Sequence, residues 1–250
     1  MSEWESAQDD NHYFIKRFLP DDTMTDAMLF DIDGTLIDHK KAQKLALRDF
    51  FTDHCVDLNT DCETFISLWS KAGEHYFGKY MSGEVSFHDI RALRCQSVFS
   101  SCDVSLTWDD AQRLFHTYLS YYERHWALFD DVLPCLEKLE DMPMGVISNG
   151  DSSEQRKKLK ATGLSDMFEA VVISEDIGTP KPSKDIFVYA VDALGTSPQE
   201  TYYVGDDLYA DVYGSANAGM KPVYLRRYGE PCPKDVMTSI TSLHELSCVI

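Results

Sequence analysis

The chain has 250 residues, 44% of them hydrophobic and 26% charged, enough apolar content to bury a substantial core and too much for general disorder. Its 42 acidic residues outnumber 23 basic ones for a formal net charge of -19, which argues against nucleic acid or an anionic membrane surface as partner. A small phosphorylated ligand stays open, because local charge and a bound cation decide that.

In chain order, residues 1–26 are acidic and irregular, with a short apolar patch at Phe14, Ile15, Phe18 and Leu19, and read as an extension that packs on the surface. The first strand is predicted at about 27–32, through Ala27-Met28-Leu29-Phe30. From 40 to 126 the pattern turns helical. Phe65, Leu68, Trp69, Ala72 and Tyr76 follow the spacing of one helix face, and similar patterns run through Ala42–Phe51, Ile90–Phe99 and Ala111–Tyr122. This block reads as a compact four-helix unit inserted into another fold.

Four further apolar runs follow, at Met144–Ile147, Ala170–Ile173, Tyr202–Val204 and Pro222–Leu225. Helix-length segments at Ser153–Thr162, Ser183–Leu194 and Leu208–Ala218 separate them. Strands alternating with helices predict an α/β fold with a parallel sheet and helices on both faces. The predicted division is an extension at 1–26, a core of 27–39 plus 127–250, and a helical cap at 40–126. Seven cysteines lie scattered without a CxxC pair, the pattern of reduced thiols. No apolar segment reaches bilayer length, and a soluble cytoplasmic protein is expected.

Parallel sheets bind ligands beyond the carboxyl ends of their strands, and polar signatures stand at those ends here. Asp31-Ile32-Asp33-Gly34-Thr35 ends the first run, and side chains two apart on a strand share a face. Ser148-Asn149-Gly150 ends the second, Lys181 lies between Pro180 and Pro182 after the third, and Gly205-Asp206-Asp207 with Asp211 ends the fourth. These residue types suit phosphoryl transfer from a monoester. Asp31 is the candidate nucleophile and Asp33 the candidate acid/base, its pKa expected to rise beside a second negative charge. Asp31, Asp33 and Asp206 are candidate ligands for Mg²⁺, with Asp207 and Asp211 as further candidates directly or through water. One of residues 206, 207 and 211 is expected to serve mainly as a helix cap. Ser148, the backbone beyond it and Lys181 are placed to hold phosphoryl oxygens, and Gly34, Thr35, Asn149 and Gly150 are the remaining substrate-binding candidates.

As a set these motifs resemble the haloacid dehalogenase (HAD) superfamily of hydrolases, from about residue 27 to the C-terminus. The resemblance implies a Rossmann-like core, a mobile helical cap inserted after the first motif, and an aspartyl-phosphate mechanism with Mg²⁺. It points to the capped phosphatases of subfamily I. Val171-Val172-Ile173-Ser174-Glu175-Asp176-Ile177-Gly178 and the tail Ser242-Leu243-His244-Glu245-Leu246 look like the pyrimidine 5′-nucleotidase branch. Gly34 departs from that branch, which often carries Glu there. The expected function is therefore hydrolysis of a small phosphorylated metabolite, such as a nucleoside 5′-monophosphate, by a monomer. A 2-haloacid dehalogenase, a phosphomutase and a phosphometabolite-binding protein without turnover are the alternatives.

Three features are given the plainer reading. Gly73–Tyr80 matches GxxxxGK, but Tyr80 replaces the required hydroxyl and the segment is helical. Trp69, Tyr76, Phe77 and Tyr80 read mainly as cap core and not as a base-stacking platform. His39 is expected to be a solvent-exposed linker histidine.

Overall fold

The computed structural model describes residues 26–250; the extension expected at 1–26 otherwise lies outside the described residues. Among the described residues a parallel six-stranded sheet runs in the order β3-β2-β1-β4-β5-β6. The strands are β1 Ala27–Phe30, β2 Met144–Ser148, β3 Ala170–Ile173, β4 Thr201–Gly205, β5 Lys221–Leu225 and β6 Ser239–Ile240. β1 sits at the centre, paired Met28 to Met144 on one side and Met28 to Tyr202 on the other.

Because both faces of this sheet are covered, its strands are apolar at nearly every position. Alternate side chains then feed two cores. Met28, Phe30, Val146, Val204 and Val223 pack with Val132, Leu136, Leu159 and Leu243 on one face. Leu29, Ile147, Val172 and Tyr203 pack with Ile186, Phe187, Ala190 and Val191 on the other. The first face is covered by α5 (Val132–Glu137) and α6 (Ser152–Ala161), the second by α8 (Lys184–Leu194); the short α7 (Ser174–Ile177) follows β3 directly.

Between β1 and β2 lie four helices with a third core of their own: α1 His39–His54, α2 Cys62–Met81, α3 Asp89–Ser100 and α4 Trp108–Arg124. Asp38, Asp61 and Thr107 cap α1, α2 and α4 through their side chains. Ala46, Phe50, Phe65, Trp69, Val98 and Phe115 fill the centre, with Trp69 fully buried and stacked on Phe115 at 6.0 Å. The GxxxxGK segment lies inside α2. Phe77 is exposed and half-buried Tyr80 rests on Phe87 at 5.1 Å, so of that aromatic set Trp69 alone is fully buried. The two connections to the sheet run together, with Ile37 bridged to Leu128 and the Asp38 amide donating to Ala127 O at 3.0 Å.

Two elements differ from expectation. β6 spans two residues, too short to carry a periodic signal. The helix predicted over Leu208–Ala218 opens as a π-helical turn, Leu208–Tyr213, before the α-helical α9, Gly214–Ala218. Asp207 O accepts from both Asp211 N at 3.0 Å and Val212 N at 3.2 Å, and such wide turns mark functional positions.

Candidate active site

The carboxyl ends of β1, β2 and β4 deliver the site. β1 stops at Phe30, short of the predicted 32, and the Asp31 amide still donates to Val204 O at 2.9 Å. The chain then coils, with the amides of Leu36 and Ile37 both donating to Ile32 O at 2.9 Å. Gly34 takes φ +94°, and a Cβ there would collide with the Asp206 carboxylate. At Gly205 a Cβ would collide with Asp211, so both glycines let an acidic side chain close onto the strand ends.

Lys181 joins these ends. Its buried ammonium donates to Asp31 Oδ1 and Asp211 Oδ1, each at 2.7 Å, to Tyr203 Oη at 3.0 Å and to Ile147 O at 3.1 Å. Burial alone would lower its pKa, but Asp211 and Asp31 outweigh that and raise it well above the usual lysine value. Lys181 thus holds Asp31 and Asp211 together and offsets their charge. Asn149 fixes the same loop from below. Its Nδ2 donates to Lys181 O at 2.8 Å and its Oδ1 accepts from Lys181 N at 2.7 Å, so this side chain holds the Lys181 loop against the end of β2.

One carboxylate oxygen from each of Asp31, Asp206 and Asp211 lies within 4.8 Å of the others. Burial pushes the pKa of Asp31 up to about 7, with Lys181 opposing and Asp211 and Asp33 reinforcing. Burial, with Asp31 and Asp211 nearby, pushes Asp206 up to about 8. Asp31 Oδ2 is buried and has no protein partner. Hard oxygen donors in mutual repulsion, one of them unpartnered, fit a hard divalent cation.

Asp33 and Asp207 stand outside this group. The exposed Asp207 side chain accepts from the amides of Tyr209 and Ala210 at 2.8 and 2.6 Å, so it is the helix cap expected among the three acids. Asp33 turns from Asp31 toward α6, where Lys158 Nζ reaches its two oxygens at 2.9 and 2.8 Å and Gln155 Nε2 reaches Oδ2 at 2.6 Å. The pKa rise expected for Asp33 is therefore corrected. Burial does act upward, but Lys158, His39 and Gln155 outweigh it and hold the carboxyl below its usual value. Sequence reasoning missed Lys158 and Gln155; their only signal is a spacing of one turn on the helix after Ser148, and Lys157 and Lys160 carry the same letter as Lys158.

Of the other candidates, Ser148 is buried next to Ile147, whose carbonyl meets Lys181. Gly150 lies under the Gln155 side chain. Thr35 is fully buried, its carbonyl accepting from Arg227 at 2.6 and 3.1 Å and its hydroxyl enclosed without a protein partner. His39 is half-buried, with Nδ1 enclosed, and not the exposed linker residue expected. Burial pulls its pKa below the usual histidine value against the attraction of Asp33.

The family model described as haloacid dehalogenase-like hydrolase matches residues 28–225. HAD-hydrolase YfnB of Bacillus subtilis is 26% identical over 223 residues, 88% of this chain and 92% of that protein. A glyceraldehyde 3-phosphate phosphatase of Pyrococcus furiosus is 29% identical over 215 residues, 84% and 83% of the two chains. The pyrimidine 5′-nucleotidase YjjG of Escherichia coli is 38% identical over 106 residues, 41% of this chain and about half (47%) of that one. A crystal structure of YfnB bound to magnesium superposes with TM-score 0.78 at 24% identity, covering 90% of this chain and 98% of that chain. The L-2-haloacid dehalogenase of Xanthobacter autotrophicus shares the fold at TM-score 0.68 and 17% identity, covering 89% and 97%. With three motif acids and a lysine gathered at the carboxyl ends of the strands and a family match spanning most of its length, this chain belongs to the haloacid dehalogenase-like hydrolases.

Proposed function

We propose that the protein hydrolyses a small phosphomonoester through an aspartyl-phosphate on Asp31. The observation that carries this reading is the state of Asp31. One oxygen is anchored by Lys181 at 2.7 Å, the other is enclosed without a protein partner, and the carboxylate lies beside those of Asp206 and Asp211. An anchored carboxylate with one free oxygen is a nucleophile held in a fixed attack direction.

In the first step an Asp31 oxygen bonds to phosphorus, the bond from phosphorus to the leaving oxygen breaks, and Asp33 gives that oxygen a proton. In the second, water attacks the same phosphorus and gives a proton to Asp33, and the Asp31–phosphorus bond breaks to release phosphate. Asp33 suits this work because its side chain remains 26% exposed at the mouth of the site. It rests ionised beside Lys158, ready for the second step; the negative charge of an arriving phosphomonoester favours its protonation for the first. The Ser148 hydroxyl and the amide that follows it hold the phosphoryl oxygens. Asp31, Asp206 and Asp211 would hold Mg²⁺, which when bound offsets their charge and polarises the phosphoryl group.

Residues 40–126 serve as the cap over a core of 27–39 and 127–250, so the substrate's leaving group is read between them. A nucleoside 5′-monophosphate is the substrate we favour, on the match to YjjG. Asp33 also separates this reading from dehalogenation, because a halide leaving group needs no proton. All seven cysteines are free, which suits a reducing cytoplasm. No helix among the described residues is long and apolar enough to cross a membrane, and we expect a monomer.

The test is phosphate release from p-nitrophenyl phosphate and a panel of phosphorylated metabolites that includes uridine and thymidine monophosphates. Turnover with Mg²⁺ that is lost on adding excess EDTA is expected. Turnover that survives EDTA would contradict the reading.

A further inference from the structure

We propose that Lys158 is a positioning residue for Asp33, gripping both oxygens of its carboxylate so that it meets the leaving group in one orientation. The proposal rests on Asp33 acting as the acid/base of phosphoryl transfer.

Lys158 is unlike the lysines around it. Lys157 and Lys160, on the same helix, are exposed, whereas Lys158 is 2% exposed. Burying an ammonium is costly unless carboxylates compensate it, and here two do, Asp33 and Glu154. The hydrogen bonds of Lys158 go to Asp33 Oδ1 at 2.9 Å and Asp33 Oδ2 at 2.8 Å, and Glu154 Oε1 forms an ion pair with it at 3.2 Å. Buried and turned onto Asp33, Lys158 acts through that carboxylate. The rings of Tyr122 and Trp126 lie 5.2 and 5.8 Å from its ammonium, from the last turn of α4 and the connection after it. Gln155, one turn earlier, adds a third bond to the same carboxylate at 2.6 Å.

Asp33 is thus held from the α6 side and open on the other. A lone aspartate at the end of a coil samples several rotamers, and a displacement near 1 Å can cost about a hundredfold in rate. A grip on both oxygens removes that freedom.

The experiment measures kcat/KM with Mg²⁺ for phenyl phosphate, whose leaving oxygen needs a proton, and for 2,4-dinitrophenyl phosphate, whose leaving oxygen does not. kcat/KM reports the steps through cleavage of the bond to the leaving oxygen. Asp33→Asn sets the reference pattern, with a large loss on phenyl phosphate and a small one on the dinitrophenyl ester. Lys158→Met is expected to reproduce it, with about a hundredfold loss on the first ester and under about fivefold on the second. Lys158→Arg, which keeps charge and donors, should recover part of the phenyl phosphate activity. Equal losses on both esters, or none, would mark Lys158 as structural and overturn the proposal. If thermal melting shows that Lys158→Met does not fold, Lys158→Gln is measured on the same two esters, where unequal losses support the proposal and equal ones overturn it. If Asp33→Asn shows no dependence on the leaving group, the acid/base reading itself fails, and the proposal with it.

Discussion

Among the described residues, Lys181 carries the heaviest electrostatic duty, standing between the two buried carboxylates of Asp31 and Asp211. Removing one partner of a buried ion cluster leaves charge uncompensated, at a cost of about 3–5 kcal/mol. Lys181→Met should therefore lower unfolding stability in urea by that amount when Mg²⁺ is absent. Added Mg²⁺ should recover part of the loss by mass action, because a cation bound to the native state offsets some of the repulsion. No loss, or no response to Mg²⁺, would mean that Asp31 and Asp211 are not charged neighbours in solution. At this scale the sequence was legible where chemistry repeats a spacing. Asp31, Lys181, Asp206 and Asp211 were found because acids and a proline-flanked lysine stood at strand ends. Lys158 was not, because burial and not identity sets it apart from its neighbours, and no local pattern encodes which of three lysines turns inward. The bond from Asn149 to the Lys181 backbone was not legible, since that partner is 32 residues away.

Among the elements, the α5 N-terminus, the β5 end and the C-terminal segment are tied through one buried pair. Arg227 donates to both oxygens of Asp131 at 3.0 Å, and Ser242 Oγ and the Leu243 amide reach Asp131 Oδ2 at 2.6 and 2.8 Å. Burial would raise the Asp131 pKa, but these donors outweigh it and hold the carboxyl below its usual value. The unfolded chain then binds a proton more readily than the native one, so this contribution is whole above about pH 4 and disappears as pH falls through the lower native pKa. Asp131→Ala should destabilise by about 3–5 kcal/mol at pH 7. The gap to wild type should narrow below about pH 4, as urea unfolding across pH would reveal. This pair spans 96 residues and left no trace in the sequence. The strands β2–β5 were legible because unbroken apolar runs mark strands buried on both faces. β6 and the π-helical turn were not, the first being too short and the second depending on how Asp207 and Asp211 bond.

For the whole molecule, the question is how the four-helix unit sits on the sheet. Arg91 of α3 reaches Asp151 at 2.9 Å and Glu154 at 3.4 Å, at the start of α6. The partners are partly exposed, so the contact contributes up to about 1 kcal/mol to stability. If the four-helix unit acts as the proposed cap, the larger effect of this contact falls on substrate binding. Arg91→Ala should lower Tm by no more than about 4 °C and raise KM severalfold, by thermal melting and steady-state kinetics. A large drop in Tm with KM unchanged would assign Arg91 to folding instead.

Covalent chemistry at Asp31 is the claim on which the rest depends, and the direct measurement is peptide mapping by mass spectrometry of a reaction quenched in acid during turnover of p-nitrophenyl phosphate with Mg²⁺. A phosphoryl adduct on the peptide carrying Asp31, absent from Asp31→Asn along with turnover, is the predicted result. Turnover that proceeds with no adduct at residue 31, or that survives its substitution, would contradict the account.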